Sequence, residues 1–251
     1  MNNKIISFSR YILVTIPLVT QAASPTDWSY AGDSGPAHWG ELSPSFVLCS
    51  RGQHQSPIEI RQFTPRRMPA LSMQYRSTPL QITHDGHTVR VTYPRGSFLK
   101  IGTQRYELME FLFHTPGEHV VNGRRGEMEI QLLHRDGAGK LGILAIPVVA
   151  GRRFNAMLQR LGEYLPAQPG ESHYYRRVGI KPSFLLPSDR SYFRYEGSLT
   201  TPPCSEGVTW FVMGSPLEAS PQQLAAFQSL LGNNARPIQD LHNRAVWADP
   251  R

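Results

Sequence analysis

The sequence predicts one mainly β domain with a few peripheral helices. Between about Leu80 and Val149, short runs rich in β-branched and aromatic residues follow one another and are separated by turn residues. Only two segments show the spacing of apolar residues that is typical of amphipathic helices. No repeat or low-complexity linker divides the 251 residues. Because β sandwiches and barrels reach about 250 residues as one unit, a single domain accounts for this length.

The predicted strands lie in the middle of the chain. Asp85-Gly86 and Asn122-Gly123 are sequences typical of tight hairpin turns. The aromatic and glycine-rich stretch of residues 28–40 has neither the helical nor the strand periodicity of apolar residues and is expected to be a packed irregular segment. The strand-like runs are Thr88–Tyr93, Ser97–Ile101, Tyr106–Phe113, Glu127–His134 and Gly142–Val149.

Two helices are predicted after the strands. The first covers Arg152–Leu165 and stops before Pro166, with an apolar face formed by Phe154, Met157, Leu158 and Leu161. The second opens with Ser220 as a cap, Pro221 at the first helical position and Gln223 completing a capping box. It ends at Gly232, and its apolar face is formed by Leu224, Phe227, Leu230 and Leu231.

Residues 1–22 have the pattern of a secretory signal. Lys4 and Arg10 form a basic start, residues 11–19 form a short apolar run, and residues 20–22 offer small side chains for cleavage before Ala23. A bilayer requires about 20 apolar residues, so no membrane span is expected. The sequence therefore predicts a signal peptide of residues 1–22, a domain of residues 23–251, and a periplasmic or secreted location.

Export affects how the two cysteines and the charge are interpreted. In an oxidising compartment, Cys49 and Cys204 favour a disulfide, and a free catalytic cysteine is the alternative. Without Lys4 and Arg10, 24 basic residues face 19 acidic residues, a net charge of +5. The arginine pairs are scattered and accompany no binding motif, so no nucleic-acid partner is expected.

The sequence contains Phe111–His114, Glu118-His119 and Tyr195–Cys204 as blocks in this order. Together with four further blocks, they resemble the alpha-class carbonic anhydrases. The resemblance covers nearly the whole mature chain and implies a large central, mostly antiparallel twisted sheet with peripheral helices and a conical cleft. Cys49 and Cys204 fall where the secreted bacterial members of that family place their disulfide. The matching blocks are Trp28-Ser29-Tyr30, Gln55–Ile60, His84–His87, Phe111–His114, Glu118-His119, Tyr195–Cys204 and Arg236–Gln239.

The family holds zinc with three histidines, and this chain departs from that pattern. By resemblance, the three ligand positions are Leu112, His114 and Gln131. A leucine offers a metal nothing, and an amide oxygen suits zinc poorly. The resemblance therefore predicts no zinc cofactor, with His114 as the one retained ligand. The alternative is a rebuilt site that recruits Glu110 and His87.

Other residues of the family's catalytic apparatus are present. His87 matches the proton-shuttle histidine, and Glu118 and Thr200 match the pair that orients the zinc-bound hydroxide. Glu129 matches the carboxylate that orients the third metal ligand. A simpler interpretation is a buried hydrogen-bond network, retained because unpaired buried polar groups cost about 1–3 kcal/mol each. The positions that match the carbon-dioxide pocket are Leu133, Ile143, Leu199, Thr201 and Trp210.

Two functions from different classes follow from the resemblance. The leading hypothesis is an exported carbonic-anhydrase-like protein that lacks zinc and carbon-dioxide hydration and binds an unknown small ligand or protein partner. The alternative is an active lyase that interconverts carbon dioxide and bicarbonate with a weakened or rebuilt zinc site. Metal-free ester hydrolysis is disfavoured because the sequence shows no nucleophile and base pair.

Overall fold

A computed structural model describes residues 27–248. The predicted signal peptide and the last three residues lie outside this range. Thirteen strands form one large mixed sheet, and the other three, β1, β8 and β9, form a small one. The strands are β1 (Glu59–Ile60), β2 (Thr64–Pro65), β3 (Leu71–Gln74), β4 (Thr78–His84), β5 (Val89–Thr92), β6 (Phe98–Ile101), β7 (Gln104–His114), β8 (Val120–Val121), β9 (Arg124–Arg125), β10 (Met128–Asp136), β11 (Leu141–Ala150), β12 (Ser172–Ile180), β13 (Tyr192–Ser198), β14 (Glu206–Met213), β15 (Leu217–Ala219) and β16 (Trp247–Ala248).

The large sheet confirms the predicted β-rich class and contains the five predicted strands, as β5, β6, β7, β10 and β11. Its main path runs β12-β4-β5-β7-β10-β11-β14-β13-β16-β2. Neighbours are mostly antiparallel, with parallel pairs where β14 and β15 join β11 and where β2 joins β16. Gly86, Asn122 and Gly123 have φ values of 95°, 51° and 75°, the left-handed backbone that the two predicted hairpin turns need.

Alternation along the central strands separates the two faces of the large sheet. In β7, Phe111 and Phe113 point into the main apolar core, whereas Leu112 and His114 take the other face. Its neighbour β10 continues the pattern, because Ile130 lies in the core while Gln131 takes the face of Leu112. One face thus packs under helices, and the other carries the candidate site.

Four short α-helices lie in the described chain, and one predicted helix is shorter than expected. They are α1 (Trp39–Leu42), α2 (Leu48–Arg51), α3 (Ala156–Gly162) and α4 (Pro221–Leu231). The prediction of a helix over residues 152–165 is wrong at both ends, because the Asn155 side chain accepts hydrogen bonds from the amides of Met157 and Leu158 and starts α3 there. Phe154 therefore precedes the helix and is exposed.

Helix α4 confirms its predicted boundaries. Ser220 accepts a hydrogen bond from the amide of Gln223, and the Gln223 side chain accepts one from the amide of Ser220. The chain then leaves the helix at Gly232, which has a φ of 59°. Phe227 packs on Phe113 and secures α4 against the core face of the sheet.

The disulfide joins the beginning and the end of the domain. Cys49 in α2 and Cys204 after β13 are bonded across a sequence separation of 155 residues, which confirms the predicted pairing. The bond is buried beside Trp39 and Phe46 in a small aromatic cluster of the N-terminal segment. None of the described helices is long and apolar enough to cross a membrane.

Candidate functional site

Three side chains form the floor of a cleft on the open face of the large sheet. Leu112 and His114 lie two residues apart on β7, and Gln131 on β10 pairs with Leu112 in register. All three are buried, with exposures of 7%, 1% and 2% in that order. The structure thus brings together the three residues that the resemblance places at the metal-ligand positions, and we call them the cleft floor.

His114 is held by one ring nitrogen only. Its Nδ1 lies 2.8 Å from the carbonyl oxygen of Asn234. A carbonyl can only accept, so Nδ1 carries a proton, and in the neutral form of the ring the lone pair is then on Nε2. Nε2 is fully buried and has no partner among the described residues. The imidazole therefore lines the cleft with an unused lone pair.

Gln131 uses its amide nitrogen behind the floor. Nε2 donates to Glu118 Oε2 at 2.7 Å and to Glu129 Oε1 at 2.9 Å. Both amide hydrogens are consumed, because each of these carboxylate oxygens can only accept. The carbonyl oxygen is the polar atom that Gln131 has left to offer to the cleft.

Behind the floor lies a buried polar layer. The Glu129 carboxylate accepts from the amide of His119 at 2.8 Å and faces the His119 Nδ1 at 2.9 Å. His119 Nε2 lies 2.7 Å from the hydroxyl of Tyr195, which in turn lies 2.8 Å from the hydroxyl of Ser56. Burial alone would raise the pKa of Glu129, but the interaction with His119 outweighs it and lowers the pKa to about 2.

Glu118 has different partners from those expected. Its carboxylate accepts from the Arg236 amide at 2.9 Å and from Gln131. Across residues 27–248, no hydrogen bond joins Glu118 to Thr200, although both are buried and Thr200 lines the cleft. The pairing of Glu118 and Thr200 that the resemblance implied is therefore not formed here, and the Glu118 carboxylate accepts from Gln131 and Arg236 instead.

One wall of the cleft carries an ion-paired arginine that sequence reasoning missed. Arg90 on β5 pairs in register with Leu112 and donates to Asp85 Oδ2 at 2.8 Å. Arg90 also donates to Glu110, so this carboxylate is not free to serve as a metal ligand. The alternation of side chains in β5 could have predicted this position of Arg90, because Val89 and Val91 point into the core and leave Arg90 on the cleft face.

His87 is stacked at the side of the cleft. Its ring lies face to face with Trp28, with 3.7 Å between ring centroids and 8° between planes. Burial lowers the pKa of His87, with Asp85 opposing this shift. Within residues 27–248, no group of three histidine, cysteine or acidic side chains could hold a metal ion. The rebuilt set of His114, Glu110 and His87 is therefore not assembled.

The cleft encloses a cavity of about 300 Å³. The structure places the predicted residues Leu133, Ile143, Leu199, Thr200 and Thr201 on its walls, and it adds Leu141, which the sequence did not single out. Trp210 is a correction to the expected lining: it is fully buried beside Ile143, its register partner on β11, and is not among the residues that line the cavity. The cleft thus has an apolar wall opposite the wall of Arg90 and His87.

Comparisons with known proteins agree with this architecture. The family model of the eukaryotic-type carbonic anhydrases matches residues 34–250. A carbonic anhydrase of Nostoc sp. is 42% identical over 229 residues, covering 89% of this chain and 86% of the relative. The chain therefore belongs to the eukaryotic-type, or alpha, carbonic anhydrase family.

Two solved structures show the same fold. The alpha-carbonic anhydrase from Thermovibrio ammonificans, in complex with the inhibitor sulfanilamide, has a TM-score of 0.85 and 37% identity, covering 88% of this chain and 99% of that chain. Dioscorin complexed with ascorbate has a TM-score of 0.82 and 30% identity, covering 88% and 97%. This chain is thus similar both to proteins named as enzymes and to a dioscorin.

Proposed function

We propose that this family member is a zinc-free protein that binds a small ligand in its cleft and does not hydrate carbon dioxide. The observation that carries the proposal is the donor set of the floor. Leu112 presents methyl groups, Gln131 turns its nitrogen to Glu118 and Glu129, and only His114 offers an imidazole lone pair. Zinc requires about four nitrogen, sulfur or oxygen ligands, with at least three from the protein. These residues do not fit that ion.

Zinc per chain, measured on the purified protein after zinc loading and extensive dialysis, tests this proposal. We expect a ratio near zero and no hydration above the uncatalysed rate. The double variant Leu112→His with Gln131→His is the matched control and should gain zinc, because it restores three imidazoles on two adjacent strands. A ratio near one in the wild type, with hydration abolished by a chelator, would support the lyase alternative instead.

A ligand-binding role is supported by what remains of the cleft. It keeps a concave cavity with one apolar wall and a few polar groups, as small-molecule sites usually do. The dioscorin with a TM-score of 0.82 was solved in complex with ascorbate, so a relative of this fold binds an organic molecule. The alternative to a small ligand is a protein partner, and such a partner would leave the cavity of the cleft accessible to small molecules.

Export is part of the proposal. The basic and apolar pattern of residues 1–22 is its basis, and the Cys49 and Cys204 disulfide is consistent with an oxidising compartment. N-terminal sequencing of the protein recovered from a periplasmic fraction should begin at Ala23. Recovery of the uncleaved chain from the cytoplasm would contradict this location.

A further inference from the structure

We propose that the cleft takes a small molecule with a protonated primary amine on a short apolar body. This inference rests on the zinc-free cleft proposed above and names the chemical class of its ligand. It starts from the Nε2 of His114, which is buried, lines the cavity and has no partner in the described part of the chain. A buried acceptor without a donor is costly, so an occupant that supplies a hydrogen is favoured.

The polar atoms of the cleft floor are acceptors. His114 spends its Nδ1 hydrogen on the carbonyl of Asn234, and Gln131 spends both amide hydrogens on Glu118 and Glu129. The His114 lone pair and the Gln131 carbonyl oxygen are left for a ligand. A carboxylate or another anion would meet acceptors on this floor, whereas an ammonium group brings three donors.

The charge around the cleft favours a cation as well. The chain as a whole is basic, with a formal net charge of +7. The cleft reverses this balance, because its charged lining and the layer behind its floor hold more carboxylates than guanidinium groups. The carboxylates are those of Asp85, Glu110, Glu118 and Glu129, the guanidinium groups are those of Arg90 and Arg236, and the His119 imidazole paired with Glu129 adds one further positive group when it is protonated. A cation is attracted by this excess, and burial strengthens the attraction.

The apolar wall defines the rest of the ligand. Leu133, Leu141, Ile143 and Leu199 line one side of the cavity and can remove a short hydrocarbon or aromatic ring from water. The cavity of about 300 Å³ limits the body to a small molecule. The ligand is therefore expected to bind in one orientation, with its amine at the cleft floor and its hydrocarbon or aromatic body against the apolar wall.

Three probes that differ mainly in their head group test the inference. Calorimetry at pH 7 on the full mature protein would compare benzylamine, which is protonated, with neutral benzyl alcohol and anionic benzoate. Hydrogen bonds to charged groups are stronger than neutral ones, so we expect benzylamine to bind at least about tenfold more tightly than benzyl alcohol. Benzoate should bind most weakly. Equal affinities for all three, or a preference for benzoate, would overturn the inference.

Two variants at Leu112 distinguish the effect of a positive charge on ligand binding from the effect of side-chain size. Leu112→Lys places a tethered ammonium at the floor, and Leu112→Met has a side chain of similar reach without charge. Benzylamine binding should be lost in Leu112→Lys and retained in Leu112→Met. Thermal unfolding of both variants checks that they are folded. Equal binding of benzylamine by the two variants would overturn the assignment of the amine to the floor.

The nitrogen spectrum of His114 gives a direct measurement on the wild type. On adding benzylamine, the Nε2 resonance should shift because its lone pair accepts a hydrogen bond, while Nδ1 keeps its bond to Asn234. An unchanged Nε2 resonance at saturation would overturn the inference. A zinc-free protein that prefers benzoate contradicts only the ligand class, whereas one zinc per chain contradicts the proposed function itself.

Discussion

The cleft floor and the polar layer behind it lie a few ångströms apart and differ in how completely their polar atoms are paired. On the floor, His114 Nε2 has no partner within residues 27–248, and the Leu112 side chain has no polar atom. In the layer behind, Glu129 accepts from His119 and Gln131, and His119 continues the chain of bonds to Tyr195. The cleft floor thus has a polar atom that can still accept a hydrogen bond, whereas the polar layer is a network in which these groups are already paired.

This difference shows that the polar layer has a structural value of its own. Its carboxylates lie at full burial, where an unpaired charge costs several kcal/mol. Gln131 belongs to both regions, because its side-chain nitrogen donates hydrogen bonds to Glu118 and Glu129 in the layer while the side chain itself forms part of the cleft floor. Glu118 and Glu129, which match positions of a catalytic pattern, thus stay paired in the fold, whatever occupies the cleft.

The largest effect is expected from breaking the layer at its centre. Glu129→Ala leaves the donors of His119 and Gln131 without their acceptor, so the free energy of unfolding should fall by about 3–5 kcal/mol. Urea unfolding measures this change. Glu127→Ala is the matched control: Glu127 is exposed, lies two residues away and accepts one hydrogen bond, from the exposed amide of Ala150, so its loss should cost only about 0.5–1 kcal/mol. Similar costs for the two variants would contradict a structural role for the layer.

Acid should weaken the polar layer through Glu129. The pKa of Glu129 is about 2 in the folded protein and 4.5 ordinarily, so the folded state binds this proton more weakly than the unfolded state. The stability that Glu129 contributes is complete above about pH 4.5 and is lost as the pH falls through 2, in total about 3 kcal/mol. Unfolding free energies across this range should fall less steeply in Glu129→Gln. Identical slopes would contradict the depressed pKa.

The smallest expected effect is a difference in unfolding free energy between a variant of Gln131, which belongs to both regions, and a variant of Leu112, which belongs to the floor alone. Gln131→Leu removes one donor from each of Glu118 and Glu129 and should cost about 1–3 kcal/mol. Leu112→Met, on the floor alone, should cost less than about 1.5 kcal/mol because it conserves apolar volume. Both values come from the same urea titration. A larger cost at Leu112 would show that the floor, and not the layer, needs a fixed structure.

Local patterns predicted the strands that carry the floor, since alternation in β7 and β10 is readable from the sequence. The ends of α3 were misjudged because the periodic Phe154 suggested a longer helix, whereas the cap at Asn155 fixed its start. The pairing of His114 with Asn234 spans 120 residues of sequence, and no local pattern reveals such a contact. The Arg90 and Glu110 pair depends on the register of β5 with β7, which is likewise set by tertiary packing.

The stack of Trp28 on His87 gives the protein a built-in optical signal. Of the four tryptophans, Trp39 and Trp210 are fully buried and Trp247 lies on β16, outside the cavity lining, whereas Trp28 lines the cavity. A molecule that enters the cleft changes the surroundings of this indole and its contact with the imidazole. Intrinsic fluorescence therefore reports occupancy of the cleft without any label, and the emission of the unmodified protein can be used to screen for its ligand.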